Sequence, residues 1–341
     1  MGLGWLRKPR AVGLDVGEGA VRALALERRR EDPVVIGVGL APIEAGSDSQ
    51  RLGRAMQQAL AGASVYGEAV IAAVGGPDVV VRQVALPPVP ADRILPALEL
   101  QQRDLGVLPP GEAVVDAQVL RRSRDGVSNE VLSVSAPRPR VEERVRLFEQ
   151  AAVPLRALDV EALALLNGAI ALMGLEPGEL LVLLTVGTRS SVLCLYSDHG
   201  PVVARYLDAG ADALLEGVRR AFDLPPHAAR ELARKLPASD LGRAEAACRP
   251  TIDRMVEEVR LSLTFYRTEY DRDSTPRYAI AGHVEPSAMN RWVADRLGLG
   301  APLELMDPLR ALDVAGPPLT GEVVQAGPQF LGAFGLGLRG L

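Results

Sequence analysis

Two stretches of the chain share one pattern, in which a short break containing glycine interrupts an apolar run. The first is AVGLDVGEGAVRALAL at 11–26, and the second is LLVLLTVGTRSSVLCLY at 180–196. Apolar runs on both sides of such a break predict a strand, a tight turn and a second strand. A third strand-like run follows each hairpin, at 33–40 and at 201–207. Because the unit occurs twice, the sequence predicts two related lobes facing a cleft and not a solenoid.

The remaining apolar positions follow a mixture of strand and helix periods, which predicts an α/β protein. Predicted strands follow at 69–74, 79–86, 113–120, 130–136, 155–159, 278–281 and 302–305. Predicted helices follow at 50–61, 92–103, 141–152, 160–172, 212–222, 227–236, 252–270, 287–297 and 329–338. One of Ser47, Asp48 or Ser49 is expected to cap the first helix, and Asp159 is expected to cap the helix at 160–172.

Proline-rich segments divide the first half of the chain and predict a small α+β subdomain inserted into the first lobe. The predicted organisation is a flexible N-terminus at 1–10, a first-lobe core at 11–86, the inserted subdomain at 87–140, a return and connecting helix at 141–172, and a second lobe at 180–341. The helix at the end of the second lobe is expected to return to the cleft.

Composition excludes several classes of function. The 341 residues carry a net charge of −5 and 4% aromatic residues, which argues against a nucleic-acid surface. The two cysteines lie far apart in apolar or helical sequence and are expected to be buried free thiols of a reducing compartment. Since no uncharged apolar run is long enough to cross a bilayer, the chain is expected to be cytoplasmic.

The first hairpin carries groups that could bind an anion and a metal. Backbone N–H groups around Gly17 and Gly19 could form a nest for phosphate, because glycine permits close approach to a ligand. Asp15, at the end of the first strand, could hold a metal-bound water. A glycine turn between two strands is also what an ordinary hairpin contains, so the motif by itself leaves both interpretations open.

The order of the motifs is more specific than any one of them. DVGEGAVR in the first lobe is followed by LDVEALALL at 158–166, LTVGTRSS in the second lobe and YAIAGHVEP at 278–286. This order resembles the actin-like ATPase superfamily, with a duplicated ribonuclease H-like fold of two lobes around a nucleotide cleft. The Pro-rich insert with EAVVDAQVL and the closing FLGAFGLGLRGL resemble the PilM family of type IV pilus assembly proteins.

The resemblance implies a cytoplasmic scaffold at the inner face of the cytoplasmic membrane. PilM-like proteins bind the N-terminal cytoplasmic peptide of a PilN-like membrane protein, in a groove beside the inserted subdomain. They belong to an inner-membrane alignment complex that could couple to the pilus motor ATPases. Membrane association is then peripheral, through the partner. The cofactor implied is ATP with Mg²⁺, and Asp15 is the implied metal-site residue.

Departures from the family pattern point to a weakened or lost nucleotide site. Glu18 stands where the family has a hydroxyl, and a carboxylate repels phosphate. Thr185 replaces an acid that would help to hold the magnesium shell. His283 follows Gly282 where the family has a second glycine, and a side chain there would obstruct the nucleotide. The full set of cofactor-binding candidates is Asp15, Gly17, Glu18, Gly19, Arg22, Thr185, Gly187, Thr188, Gly210, Gly282 and His283.

Other functions remain open at this stage. The leading hypothesis is a scaffold that is not an efficient ATPase, and the alternative is a working ATP-binding switch or slow ATPase of the same fold. Asp159 and Glu161 could form a water-activating pair in that case. An actin-fold sugar or acetate kinase would need an acid to deprotonate its acceptor, and no acid is convincingly placed. A GspL-like secretion platform protein should continue into a membrane helix, which this chain does not contain.

Overall fold

Two five-stranded sheets with the same strand order form the two lobes of this protein. The computed structural model describes residues 9–44, 46–104, 112–122, 128–285 and 287–341. Its strands are β1 (Arg10–Val16), β2 (Ala20–Arg29), β3 (Asp32–Pro42), β4 (Val70–Val74), β5 (Val80–Leu86), β6 (Ala113–Arg122), β7 (Asn129–Pro137), β8 (Leu155–Val160), β9 (Glu179–Val186), β10 (Ser191–Tyr196), β11 (Val203–Leu207), β12 (Thr275–Gly282) and β13 (Glu304–Leu305).

The helices cover the faces of these sheets. They are α1 (Ser49–Gly62), α2 (Ala91–Asp104), α3 (Arg138–Gln150), α4 (Glu161–Met173), α5 (Ala211–Phe222), α6 (Pro226–Arg234), α7 (Leu241–Glu269), α8 (Met289–Leu297), α9 (Pro308–Ala311), α10 (Gly321–Gln325) and α11 (Leu331–Gly340). A 3₁₀ turn, Gly327–Phe330, precedes α11.

The sequence repeat is a repeat of sheet topology. The first sheet has the order β3-β2-β1-β4-β8 and the second has the order β11-β10-β9-β12-β13. In each sheet an antiparallel meander of three strands is joined by two parallel strands on the side of its first strand. The predicted pair of related lobes is therefore confirmed, and each glycine turn occupies the same place in its own sheet.

A continuous hydrophobic core joins the two lobes. It contains Leu24 and Leu26 of β2, Leu181 and Leu183 of β9, and Phe334 of α11, all buried. Helices α4 and α11 lie between the sheets and pack on each other. Their backbones approach closely because Gly335 has no side chain, and a Cβ there would collide with the carbonyl oxygen of Ala164. This packing holds the lobes on either side of a cleft.

The inserted subdomain is a three-stranded antiparallel sheet, in the order β5-β7-β6, with α2 against it. Residues 80–86 pair with β7 of this sheet along their whole length, whereas the sequence had placed them in the first-lobe core. The inserted sheet therefore begins at β5 and not at residue 87. Alternation of apolar residues does not reveal which sheet a strand joins, because every half-buried strand shares that pattern.

Helix boundaries follow local chemistry with two exceptions. Asp48 caps α1 as expected, accepting a hydrogen bond from the backbone N–H of Arg51 at 2.8 Å. The expected cap of α4 by Asp159 is wrong, because the N-cap residue is Val160 and Asp159 pairs instead with Arg339 at 3.1 Å. Helix α7 begins at Leu241, well before the predicted start at residue 252, and continues through Pro250.

Residues 1–8, which include most of the N-terminus predicted to be flexible, lie outside the described residues. Among the residues that the structure does describe, no helix is long and apolar enough to cross a membrane.

Candidate functional site

The candidate site is the cleft between the two glycine hairpins. Its cavity has a volume of about 570 Å³. Its walls come from the hairpin β1–β2, the hairpin β9–β10, the end of β12, the starts of α3 and α4, and the 3₁₀ turn before α11. The lining includes nine of the eleven residues predicted from the sequence, namely Asp15, Gly17, Glu18, Arg22, Thr185, Gly187, Thr188, Gly282 and His283.

The first hairpin presents an acid that is already paired. Its turn is closed by a hydrogen bond from the Gly17 N–H to the carbonyl of Ala20 at 3.1 Å. Arg22, directly opposite Asp15 in the β1–β2 ladder, donates to the Asp15 carboxylate at 3.3 Å and to Gln329 Oε1 at 2.7 Å. Burial lowers the pKa of Arg22, while Asp15 opposes that shift. The carboxylate expected at a metal thus neutralises a buried guanidinium.

The second hairpin has the same turn but lacks the charged pair of the ladder beside it. The Gly187 N–H donates to the Ser190 carbonyl at 3.0 Å. Thr185 occupies the position equivalent to Asp15, and Val192 faces it across the ladder where Arg22 faces Asp15. The Thr185 hydroxyl is buried and has no hydrogen-bond partner among the described residues. The end of β9 therefore presents a hydroxyl to the cleft where the end of β1 presents a carboxylate.

Gly210 lies behind the second turn and outside the cleft lining. It is the N-cap residue of α5, and a Cβ there would contact the backbone of Thr188 and Arg189. The first two N–H groups of α5, from Ala211 and Asp212, donate to the carbonyls of Gly187 and Thr188 at 2.9 Å each. Gly210 thus lets the helix pack directly against the turn and support it.

An ion pair crosses the cleft from one hairpin to the other. The Glu18 carboxylate accepts from the Arg189 guanidinium at 2.8 Å and from the Arg189 backbone N–H at 3.2 Å. The turns also touch at Gly19, where a Cβ would lie 2.7 Å from Thr188 Oγ1. Glu18 therefore binds the opposite turn, and Gly19 lies at this contact between the turns.

Gly282 and His283 form the edge of the cleft at the end of β12. Gly282 adopts a left-handed backbone, with φ of 83°, and a Cβ there would collide with the Val186 carbonyl oxygen. The His283 ring lies 3.5 Å from Thr188 Oγ1 through Nε2 and 3.8 Å from Glu285 through Nδ1. The imidazole thus projects beside the second turn.

Helix α4 adds to the cleft a carboxyl group, Glu161, whose pKa is raised by its surroundings. Glu161 accepts a hydrogen bond from the Tyr206 hydroxyl at 3.0 Å. Burial raises the pKa of Glu161 to about 7, and the nearby charge of Asp15 adds to the shift. Asp159 is not part of this cleft, because its carboxylate faces Arg339. The two acids weighed as a pair are therefore separated.

Two arginines of α3 also line the cleft and were missed by the sequence analysis. Arg140 pairs with Asp78 at 2.9 Å and donates to the Gly75 carbonyl at 3.2 Å. Arg144 donates to the Val16 carbonyl at 3.4 Å, and burial lowers its pKa. Their spacing of four residues puts them on one face of α3. The predicted helix began at residue 141 and so left out Arg140; a helix begun a turn earlier would have shown two arginines on one face.

The residues of the cleft would not hold a magnesium ion by themselves. Asp15 is engaged by Arg22 at 3.3 Å, and the equivalent position of the second hairpin is the uncharged Thr185. Within the part of the chain that the structure describes, no group of three or more His, Cys, Asp or Glu side chains could hold a metal ion. Mg²⁺ prefers carboxylate and phosphate oxygens, so a metal there would depend on ligands brought by a nucleotide.

Comparison with known proteins agrees with the order of motifs. The sequence model of the family described as type IV pilus assembly protein PilM matches residues 13–341. A solved structure titled PilM-PilN type IV pilus biogenesis complex is 25% identical, with a TM-score of 0.79, over 97% of this chain and 98% of that one. No curated protein sequence matches the chain at a significant level.

More distant structures share the fold. The ethanolamine utilization protein EutJ from Carboxydothermus hydrogenoformans is 14% identical, with a TM-score of 0.54, over 98% of this chain and 90% of that one. A glycerol dehydratase reactivase is 10% identical, with a TM-score of 0.54, over 97% of this chain and all of that one. With the matching sheet orders of the two lobes, these similarities confirm the actin-like fold.

Proposed function

The chain belongs to the family of type IV pilus assembly protein PilM, and from this premise we propose that it is a cytoplasmic scaffold of a pilus inner-membrane complex. Its partner is a PilN-like membrane protein, which it holds by the partner's N-terminal cytoplasmic peptide. The observation that carries the proposal is the similarity over nearly the whole chain to a protein solved in complex with PilN. Attachment to the inner face of the cytoplasmic membrane runs through this partner, and the pilus motor ATPases are further candidate partners.

A groove between the inserted subdomain and the lobes is the site that we assign to the peptide. Its cavity has a volume of about 440 Å³. One side is formed by apolar residues of α4, including Leu163, Leu166 and Ile170, and another by the inserted sheet, including Leu120 and Leu132. Apolar side chains on two sides of a groove suit the side chains of an extended peptide.

Charged groups surround these apolar side chains. Arg121 pairs with Glu130 at 2.6 Å on the inserted sheet, and Asp159 pairs with Arg339 at 3.1 Å between the lobe and α11. Polar rims around apolar centres are typical of protein interfaces, where the centre supplies most of the affinity. The apolar positions of the groove are therefore the ones to substitute in a test.

The interlobe cleft is proposed to bind nucleotide weakly and not to hydrolyse it efficiently. Three features support this: Asp15 is neutralised by Arg22, Thr185 brings no charge, and the Glu18 carboxylate occupies donors of the opposite turn. The competing proposal is a nucleotide switch, which the preserved glycine turns and the hydroxyl of Thr188 favour.

Calorimetry separates these proposals. A synthetic peptide with the N-terminal sequence of the neighbouring membrane protein is titrated into the full chain, and Mg²⁺-ATP is titrated separately. The scaffold proposal expects peptide binding without ATP. Micromolar ATP binding would refute the weakened site, and absence of peptide binding with and without ATP would refute the scaffold.

A pair of surface substitutions locates the peptide. Leu120→Asp places a charge in the groove and is expected to weaken peptide binding by about tenfold or more. Leu261→Asp is the matched control, because Leu261 of α7 is a similarly exposed leucine that is not among the residues lining the groove. Equal effects of the two substitutions would show that the peptide binds elsewhere.

A further inference from the structure

The ion pair between the two hairpins carries an inference about the ligand chemistry of the cleft. The backbone N–H of Arg189 points out of the second glycine turn, where a phosphate-binding turn would present its donors. The group that it binds is an oxyanion, the carboxylate of Glu18, at 3.2 Å. The Arg189 guanidinium completes a two-point contact at 2.8 Å. The turn thus binds an anionic group, and that group belongs to the chain itself.

We propose that Glu18 is an internal substitute for phosphate, which holds the two hairpins together and which a nucleoside polyphosphate must displace to bind. The proposal rests on the assignment of this cleft as a weak nucleotide site. It adds the reason for the weakness, which is direct competition for the donors of one turn.

The geometry makes the substitute displaceable. The side chains of Glu18 and Arg189 are 42% and 61% exposed, so neither is fixed by packing. The Glu18 side chain can rotate into solvent, whereas the backbone N–H that it leaves remains in place. Arg189 responds to the contact, because the hydrogen bond that it donates to Glu18 and the charge of that carboxylate raise the pKa of Arg189.

Charge explains why a polyphosphate would compete poorly. If Glu18 stayed in place, its negative charge would repel the incoming phosphates. If it rotated away, the protein would lose a charge-assisted pair of hydrogen bonds. Both routes reduce affinity, and both disappear when the carboxylate is removed.

The first test is calorimetry on the full chain with Mg²⁺-ATP and with pyrophosphate. Glu18→Ser is expected to bind both ligands about tenfold more tightly than the unsubstituted protein. Glu18→Gln, which keeps an acceptor oxygen but no charge, should fall between the two. Glu31→Ser, on the exposed turn between β2 and β3, is the matched control and should change nothing. Equal affinities for Glu18→Ser and the unsubstituted protein would overturn the proposal.

The second test addresses the link between the lobes. Spin labels are attached to cysteines introduced at the exposed positions Arg54 of α1 and Arg230 of α6. Both native thiols, Cys194 and Cys248, are fully buried, so labelling is selective. Without ligand, Glu18→Ser should broaden the distribution of distances between the labels. An unchanged distribution would refute the role of Glu18 in holding the hairpins together.

The outcome is independent of the scaffold proposal. Glu18→Ser lies outside the groove beside the inserted subdomain and should bind the partner peptide as well as the unsubstituted protein does. If no variant binds the peptide, the scaffold proposal is refuted. The affinities for Mg²⁺-ATP and pyrophosphate would still decide whether Glu18 competes with phosphate.

Discussion

The two glycine hairpins occupy the same place in two sheets of the same order, yet they differ in chemistry. Both turns are closed by a glycine N–H, at 3.1 Å in the first lobe and 3.0 Å in the second. Across the adjoining ladder, the first hairpin has the charged pair Asp15 and Arg22, and the second has Thr185 and Val192. The comparison shows that the duplicated backbone supplies the cleft, whereas the side chains decide what it can hold.

The largest expected effect comes from the backbone turns. A Cβ at Gly187 would collide with the Ser190 carbonyl, while at Gly17 it would lie 3.1 Å from the Arg22 side chain and 3.3 Å from the Ala20 carbonyl. Gly187→Ala should therefore cost about 3 kcal/mol of stability and Gly17→Ala about 1 kcal/mol. Thermal unfolding of both variants measures the difference. Equal losses would show that the two turns are sterically equivalent after all.

The next largest effect concerns the charged pair. Asp15→Thr leaves the buried Arg22 without this carboxylate and should destabilise by about 2 kcal/mol, because an uncompensated buried charge is costly. The double variant with Arg22→Val copies the second hairpin and should be less destabilised than that single variant.

Chemical denaturation of the two single variants and the double variant gives the coupling energy. We expect about 1–2 kcal/mol between Asp15 and Arg22. If the free-energy changes of the two single variants add up to that of the double variant, the interaction between Asp15 and Arg22 contributes nothing to stability. Replacing this pair by the Thr185 and Val192 combination would then carry no coupling cost.

The last effect develops only as pH rises, and it tests how far the charge of the first hairpin reaches. The pKa of Glu161 is raised to about 7, by burial and then by Asp15, from an ordinary value of 4.5. The folded state thus favours the protonated form of Glu161. The contribution of this group to the free energy of unfolding is therefore fully present below about pH 4.5 and is lost as pH rises through about 7. Glu161→Gln should remove this loss, on the order of 1–3 kcal/mol across the window.

Denaturation curves at several pH values compare Glu161→Gln with Glu149→Gln, a substitution of an exposed glutamate on α3. Only the first should flatten the pH dependence of the free energy of unfolding. If the Glu161 variant keeps the slope of the unsubstituted protein, the carboxyl is ionised in the fold at neutral pH, and Asp15 does not influence it.

Most of the fold could be predicted from local sequence patterns. The strands of both hairpins and the cap of α1 by Asp48 are confirmed because each depends on residues that are close in the chain. The sheet that β5 joins and the first turns of α7 were missed. Strand partners depend on the whole topology, and a proline such as Pro250 is normally expected near a helix boundary.

The site was predictable as a set of positions but not as a set of contacts. Glycines and acids near the turns indicated the cleft, and nine of those residues do line it. The partner of Glu18 is 171 positions away, and Arg22 reaches Gln329 at a separation of 307. No local rule connects such residues, so the sequence indicated that Glu18 was unusual without showing what it binds.

The packing of α11 has a consequence for how the protein is made on the ribosome. Residues 331–340 lie against β1 and α4, and both Gly13 of β1 and Gly335 of α11 are needed for this close fit. The sheet of the first lobe is synthesised before α11 and remains without this cover until residues 331–340 have emerged. Folding of this lobe therefore cannot be completed in the order of synthesis, and its apolar face stays exposed to chaperones while the second lobe is translated.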